Sequence, residues 1–216
     1  MLRSFYKRNL DANRIFFRVV PYTMISRQRM KVVINAIEHI YRGRVSGALV
    51  ECGVWKGGCV MAMMERLREL AMYRHIWAYD TFGKGMTGAS KIDINNKGHK
   101  GEFLNGKLAT SREEFEKNIT QIDYGRDWIH IIEGDVRETI PLNAPKKIAI
   151  LRLDVDFYEA TKWILEHLYP IVSDNGVVIF DDYACWQGCK KAVDEHFDSL
   201  EKKPAFVSSD HHYLVK

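Results

Sequence analysis

Two short apolar runs, each ending in a pair of aspartates, constrain this chain more than any other feature. Residues 148–153 lead into Asp154 and Asp156, and residues 177–180 lead into Asp181 and Asp182, with 27 positions separating Asp154 from Asp181. Unbroken apolar runs of this length read as strands buried on both faces, the signature of a parallel sheet covered by helices. In an open parallel sheet, ligands bind at the C-terminal ends of the strands. Two neighbouring strands that end in carboxylates crowd three or four negative charges into one crevice. Such groups repel one another and stay ionised when a cation sits among them. All the donors are hard oxygens, which suits Mg2+, Ca2+ or Mn2+ better than Zn2+.

The chain has 216 residues, enough for one sizeable α/β domain. No apolar stretch reaches the roughly 18 residues of a membrane span, and the basic residues 1–9 lead into no signal-peptide core. A cytoplasmic protein is predicted. Cys52, Cys59, Cys185 and Cys189 fit that compartment as free thiols, since the C-x3-C spacing of the last two is neither a zinc nor a redox pair. The net charge of +4 is uneven. Residues 1–45 hold ten Lys or Arg against two acids, a net of +8, and the remainder holds 22 against 26, a net of −4. A basic arm could meet nucleic acid, a membrane surface or a phosphorylated substrate, or form a solvated helical face. No nucleic-acid motif accompanies it, so no nucleic-acid partner is expected.

Strands and helices alternate along the chain. Residues 1–45 read as an amphipathic helical arm broken near Pro21, with Ser26 capping a second helix that runs to about Tyr41. Strands are predicted over 48–52, 75–79, 128–132, 148–153 and 177–180. Helices are predicted over 57–72, from Ser111 (a capping box with Glu114), over 159–169 and over 188–200. Short strands at 205–207 and 213–215, with no helix between them, predict an antiparallel hairpin at one edge. The fold class is α/β, a mostly parallel seven-stranded sheet with helices on both faces. Residues 46–216 form the main domain, and the arm covers the substrate or cofactor or makes a homodimer contact. Residues 81–109, rich in Gly, Lys and Asn, read as a lid-like loop.

The first strand ends in Glu51-Cys-Gly53-Val-Trp-Lys-Gly57-Gly58, and a helix follows. Glycines at such a turn let the backbone approach a ligand. The pattern is not G-x-G-x-x-G, and a carboxylate ahead of the first glycine suits a cationic ligand rather than a pyrophosphate. Asp80 closes the second strand, where an acid accepts hydrogen bonds from ribose hydroxyls. Asp135 follows the third strand and could meet an adenine amino group or a backbone turn. Singly, each of these also fits a tight turn or a helix N-cap. Together, Glu51, Asp80, Asp135 and Asp154 line one edge of the sheet, a row suited to a nucleoside bearing positive charge.

Glu51-x-Gly-Val-Trp-x-Gly-Gly, the run Leu-Arg-Leu-Asp-x-Asp-x-Tyr-Glu-x-Thr at 151–161, and Asp181-Asp-Tyr183 resemble the macrocin O-methyltransferase (TylF-like) family. The resemblance spans roughly residues 20–200 and includes Tyr22-Thr-Met24. It implies a class I, Rossmann-like methyltransferase that uses S-adenosylmethionine and Mg2+, or another divalent cation such as Mn2+. The implied acceptor is a hydroxyl of a small sugar-containing molecule: a natural product, a polysaccharide or a nucleotide-linked glycan. The resemblance implies Asp154, Asp181 and Asp182 as metal ligands and Asp156 as general base. It implies Glu51, Gly53, Gly57, Asp80 and Asp135 as cofactor contacts, with Thr23 and Met24 nearby. The chain is shorter than the antibiotic enzymes of that family and has its own 81–109 sequence, so the acceptor itself does not carry over.

Two other readings stand beside this one. Asp154-Val-Asp156 is also the D-x-D of glycosyltransferases that hold Mn2+ and a nucleotide sugar, although Asp181-Asp182 and the acidic Glu51 turn oppose it. A methyltransferase-like scaffold docking through its N-terminal helices is the other. His99, in the loop, could touch substrate, and His211 and His212 could support the site from behind; all three also fit surface or edge positions. His130 and His167 read as structural. Trp55, Tyr183 and Trp186 flank the crevice, as stacking or as packing groups.

Overall fold

The computed structural model describes the backbone of residues 2–207 and 213–216 and the side chains of 11–206 and 213–216; His211 and His212 lie outside the described residues. Seven strands form one sheet: β1 (Ala48–Cys52), β2 (Ile76–Asp80), β3 (Ile129–Glu133), β4 (Ile148–Leu153), β5 (Val172–Phe180), β6 (Phe206–Val207) and β7 (Tyr213–Val215). Their order is β3-β2-β1-β4-β5-β7-β6. The first five run parallel, and β7 is antiparallel to both β5 and β6. The predicted sheet, with its antiparallel edge, is the observed one.

The middle of the sheet follows from the apolar runs. Every residue of β1 and β4 is buried. Leu49 pairs with Ile150 and faces one apolar core, while Val50 pairs with Leu151 and faces the other. Helices α1 (Leu2–Val19), α2 (Arg27–Arg42), α3 (Gly58–Glu69) and α4 (Arg112–Ile119) cover the first face. Helices α5 (Val136–Asn143), α6 (Tyr158–Leu168) and α7 (Gln187–Asp198) cover the second. Ser26 and Ser111 accept hydrogen bonds from Arg29 N and Glu114 N, capping α2 and α4. Part of the basic charge of the arm is spent internally. Arg18 pairs with Glu65 of α3, and Arg14 pairs with Glu65 and Glu69 of the same helix. No helix among the described residues is long and apolar enough to cross a membrane.

Two elements differ from the sequence reading. β5 begins at Val172, ahead of the predicted 177, because Ser-Asp-Asn-Gly reads as a loop. The segment stays in the sheet through an irregular register, with Ser173 Oγ donating to Ser46 O and Asn175 N to Lys216 O. Helix α5 was hidden by Pro141, which lies inside it.

The 81–109 segment is folded and fastened rather than an open tether. Asp93 is wholly buried and accepts hydrogen bonds from Ser90 N, Ser90 Oγ and Tyr158 N at 2.7–2.8 Å. Further backbone bonds, Asn96 N to Cys185 O and Gln187 N to Ile94 O, tie the segment to the start of α7. The fit leaves room only for glycine at 188, where a Cβ would lie 1.8 Å from Asp93 Oδ1. Asp93→Ala leaves these buried donors unsatisfied and is expected to cost about 1–3 kcal/mol. Urea melts check the cost. Hydrogen exchange across residues 84–107 should quicken, and unchanged exchange there would contradict this assignment.

Candidate active site

The strand order reverses between β1 and β4, so the crevice of a doubly wound sheet opens there. A cleft of about 920 Å³, its open mouth included, occupies that position. Its floor is made by the ends of β1, β2, β3 and β4: Gly53, Asp80, Asp135 and Asp154 all line it. Met24, Trp55, Met86 and Leu108 supply apolar walls.

Close packing of strand ends shapes the floor. Gly53 has φ +87°, and a Cβ there would lie 1.9 Å from Asp154 O, so only glycine fits. Asp80 holds the turn: Oδ2 accepts from Val54 N and Trp55 N, and Oδ1 accepts from Phe82 N, each at 2.8–2.9 Å. Trp55 (φ 46°), Phe82 (φ 48°) and Asp156 (φ 59°) all sit in the left-handed region around this cleft. Non-glycine residues held there store strain, and such strain concentrates at functional sites.

Behind the floor lies a dense group of charges. One ligand oxygen from each of Asp154, Asp181 and Asp182 falls within 4.8 Å of the others. Asp156 is tied to the group by its N–H, which donates to Asp182 Oδ2 at 3.1 Å, and its carboxylate accepts from the Trp186 ring. Two arginines answer this charge. Arg152, fully buried in β4, pairs with Glu51 at 2.5 Å, Asp154 at 2.8 Å and Asp181 at 2.9 Å. Arg29 of α2 reaches the other oxygen of Asp181 at 2.7 Å and Cys185 Sγ at 3.1 Å.

Five carboxylates share these two guanidiniums. Burial, then the charges of Asp154 and Asp181, push the Asp156 carboxyl up to about 7. Burial, opposed by Arg152, pushes Asp154 up to about 6, and burial pushes Glu51 up to about 8. Asp182 is driven well above the usual carboxylate range by burial and by Asp156, Asp154 and Asp181. Carboxylates that resist ionisation together are relieved by a cation, and hard oxygen donors suit a divalent one such as Mg2+ or Mn2+. The donor set therefore fits a metal.

The sequence profile of the Macrocin-O-methyltransferase (TylF) family matches residues 7–205. This chain belongs to that family. It is a TylF-family, S-adenosylmethionine-dependent O-methyltransferase, which sets aside the glycosyltransferase and scaffold readings. Demethyldecarbamoylnovobiocin O-methyltransferase of Streptomyces niveus is 35% identical over 196 residues, 88% of this chain and 72% of the relative. The 8-demethyl-8-(2,3-dimethoxy-alpha-L-rhamnosyl)-tetracenomycin-C 4'-O-methyltransferase of Streptomyces olivaceus is 33% identical over 179 residues, 82% of this chain and 68% of the relative. The solved O-methyltransferase NovP is 32% identical and superposes with a TM-score of 0.79, covering 90% of this chain and 82% of NovP.

The sequence-predicted residues of this TylF-family enzyme fall into two groups. Met24, Gly53, Asp80, Asp135, Asp154 and Asp156 line the cleft. Thr23, Glu51, Gly57, Asp181 and Asp182 do not. Glu51 is only 1% exposed and lies under the floor, held by Arg152. Gly57 packs against α4, where a Cβ would meet Phe115 at 2.9 Å. Thr23 abuts Gly58 and leaves Met24 to face the cleft. Asp135 spends its carboxylate on capping α5 and on a fork with Arg137, which also lines the cleft. His99 is exposed and does not line the cleft; Trp55 does, while Trp186 packs edge-on against Phe157.

Sequence reasoning missed Arg29 and Arg152. Arg152 carried a signal: a charged residue inside a wholly buried strand requires carboxylate partners. Arg29 carried none, because its partner lies 152 residues away.

Proposed function

We propose that this enzyme transfers a methyl group from S-adenosylmethionine to a sugar hydroxyl, with Mg2+ or Mn2+ held by Asp154, Asp181 and Asp182 and with Asp156 as general base. The observation that carries the proposal is the cluster of three carboxylates: Asp154 lines the cleft with Asp156 beside it, and Asp181 and Asp182 stand buried behind them. The sugar acceptor is supported by the S. olivaceus relative, whose name gives a rhamnosyl group and a 4'-O-methyl transfer.

A sugar hydroxyl is a very weak acid and a poor nucleophile. Bound at the aspartates, the divalent cation would supply Lewis acidity toward the acceptor oxygen. The cofactor would supply an electrophilic methyl on a sulfonium. The remaining tasks belong to the protein. Asp156 takes the hydroxyl proton on its carboxylate, and the Trp186 ring and the bond from its N–H to Asp182 fix its direction. Gly53, Asp80, Asp135 and Met24 form the wall that receives the cofactor. Glu51, Gly57 and Thr23 hold that wall in shape from behind. The apolar side chains of Trp55, Met86 and Leu108 exclude water and hold the two reactants together.

Asp154→Ala and Asp182→Ala test the metal assignment. Each is expected to lower Mg2+-dependent methyl transfer by more than about a hundredfold, while calorimetric affinity for S-adenosylhomocysteine stays within about threefold. Full activity of either variant, with or without chelator, would remove the cation from this site.

A further inference from the structure

At the opposite end of the sheet, a second groove opens between the start of β2 and the start of β4. It lies one strand length from the active-site cleft, roughly 16 Å for five residues. Nothing in the methyl-transfer reading uses it. One wall is aromatic. Trp128 and His75 sit with ring centres 4.7 Å apart, and Tyr73, 49% exposed, lies 6.1 Å beyond Trp128. Behind them His130 stacks on Trp77 at 3.8 Å, and its Nε2 meets His75 Nδ1 at 3.0 Å. The rings thus brace one another, His75 tilted 41° against Trp128, and leave an exposed aromatic face at His75 and Tyr73 with Trp128 half-buried between them.

The other wall is cationic. Lys146 and Lys147, both exposed, line the groove and have no carboxylate partner among the described residues. Arg74 joins them, fixed by hydrogen bonds from its guanidinium to Val45 O and Gly47 O. No acidic residue lines the groove.

We propose that this groove is a second ligand site, for a nucleoside phosphate, with the base laid on the Trp128–His75 face and the phosphate between Lys146 and Lys147. Each half of the groove rules out a simpler ligand. An uncharged glycan could use the rings but would leave three cations without a counter-charge. Inorganic phosphate would use the cations and leave the aromatic face bare. Stacking on an aromatic face beside a positively charged wall is how proteins hold nucleotides without reading the base. Purine and pyrimidine nucleotides are therefore expected to bind alike.

The test is calorimetric titration of the full chain with ADP, UDP, inorganic phosphate and methyl rhamnoside, all with the methyl-transfer cleft saturated by S-adenosylhomocysteine. ADP and UDP are expected to bind saturably, at least tenfold tighter than phosphate or the glycoside. The Lys146→Ala/Lys147→Ala double variant, changed only at exposed side chains, is expected to weaken both by about tenfold. Trp128→Ala is expected to do the same, as loss of one stacking contact predicts. Both variants keep S-adenosylhomocysteine affinity. The proposal is overturned if saturation of the cleft abolishes nucleotide binding, if phosphate or the glycoside binds as tightly, or if the lysine variant binds as the parent does.

Discussion

Asp156→Asn is expected to lower kcat by about 10²–10⁴-fold, the span a positioned general base contributes. The amide keeps the shape of the carboxylate but cannot take a proton. Asn tolerates the left-handed backbone at this position (φ 59°) as readily as Asp does, so the local turn survives. The N–H bond to Asp182 comes from the backbone and survives as well. Removing one of several crowded negative charges also relieves repulsion, so the thermal midpoint should hold or rise. Affinity for S-adenosylhomocysteine is expected to stay within about twofold of the parent, because the change falls on the acceptor side. The measurement is the initial rate of labelled methyl transfer to a panel of rhamnosides, alongside calorimetry with S-adenosylhomocysteine. A near-normal kcat would remove Asp156 from proton transfer. A loss of kcat accompanied by loss of the cofactor product's affinity would reduce it to a structural group.

Arg152→Met is expected to lower the free energy of unfolding by about 3–5 kcal/mol, the cost of removing one partner from a buried ion pair. Met matches much of the arginine stem but leaves Glu51, Asp154 and Asp181 facing one another without their shared cation. Urea melts of the metal-free protein give the number. Mg2+ should recover part of the loss, since a ligand that binds only the folded state stabilises it by mass action. An unchanged melt would mean that the three carboxylates are already neutral and that the guanidinium contributes nothing net.

The central architecture was legible because it rests on burial. β4 is apolar and buried throughout, and its bounds follow directly from the run 148–153. β5 was legible only in its second half, since turn-forming residues hide an irregular strand start. The acidic strand ends were equally plain, because parallel topology alone brings them to one edge. Their environment was not. The pairing of Arg29 with Asp181 joins α2 to the end of β5, and the burial of Asp93 against the N-terminus of α6 joins loop to helix. Such contacts depend on how layers dock, and no local pattern of residues announces them. Asp80 was found as a strand-end acid, but its bonds to the turn of β1 emerge only from the packed ends; the cap that Asp135 makes to Arg137 is local, one of the two roles its position in the sequence allowed.

Cation-dependent methyl transfer to a sugar hydroxyl can be tested directly. The most direct measurement supplies labelled S-adenosylmethionine and a rhamnoside panel to the full chain, first with Mg2+, then after exhaustive chelation, then with Mg2+ restored. A labelled methyl ether is expected on the sugar, lost with chelator and regained with the metal. Equal yield of the ether from the chelated protein would contradict a role for the cation.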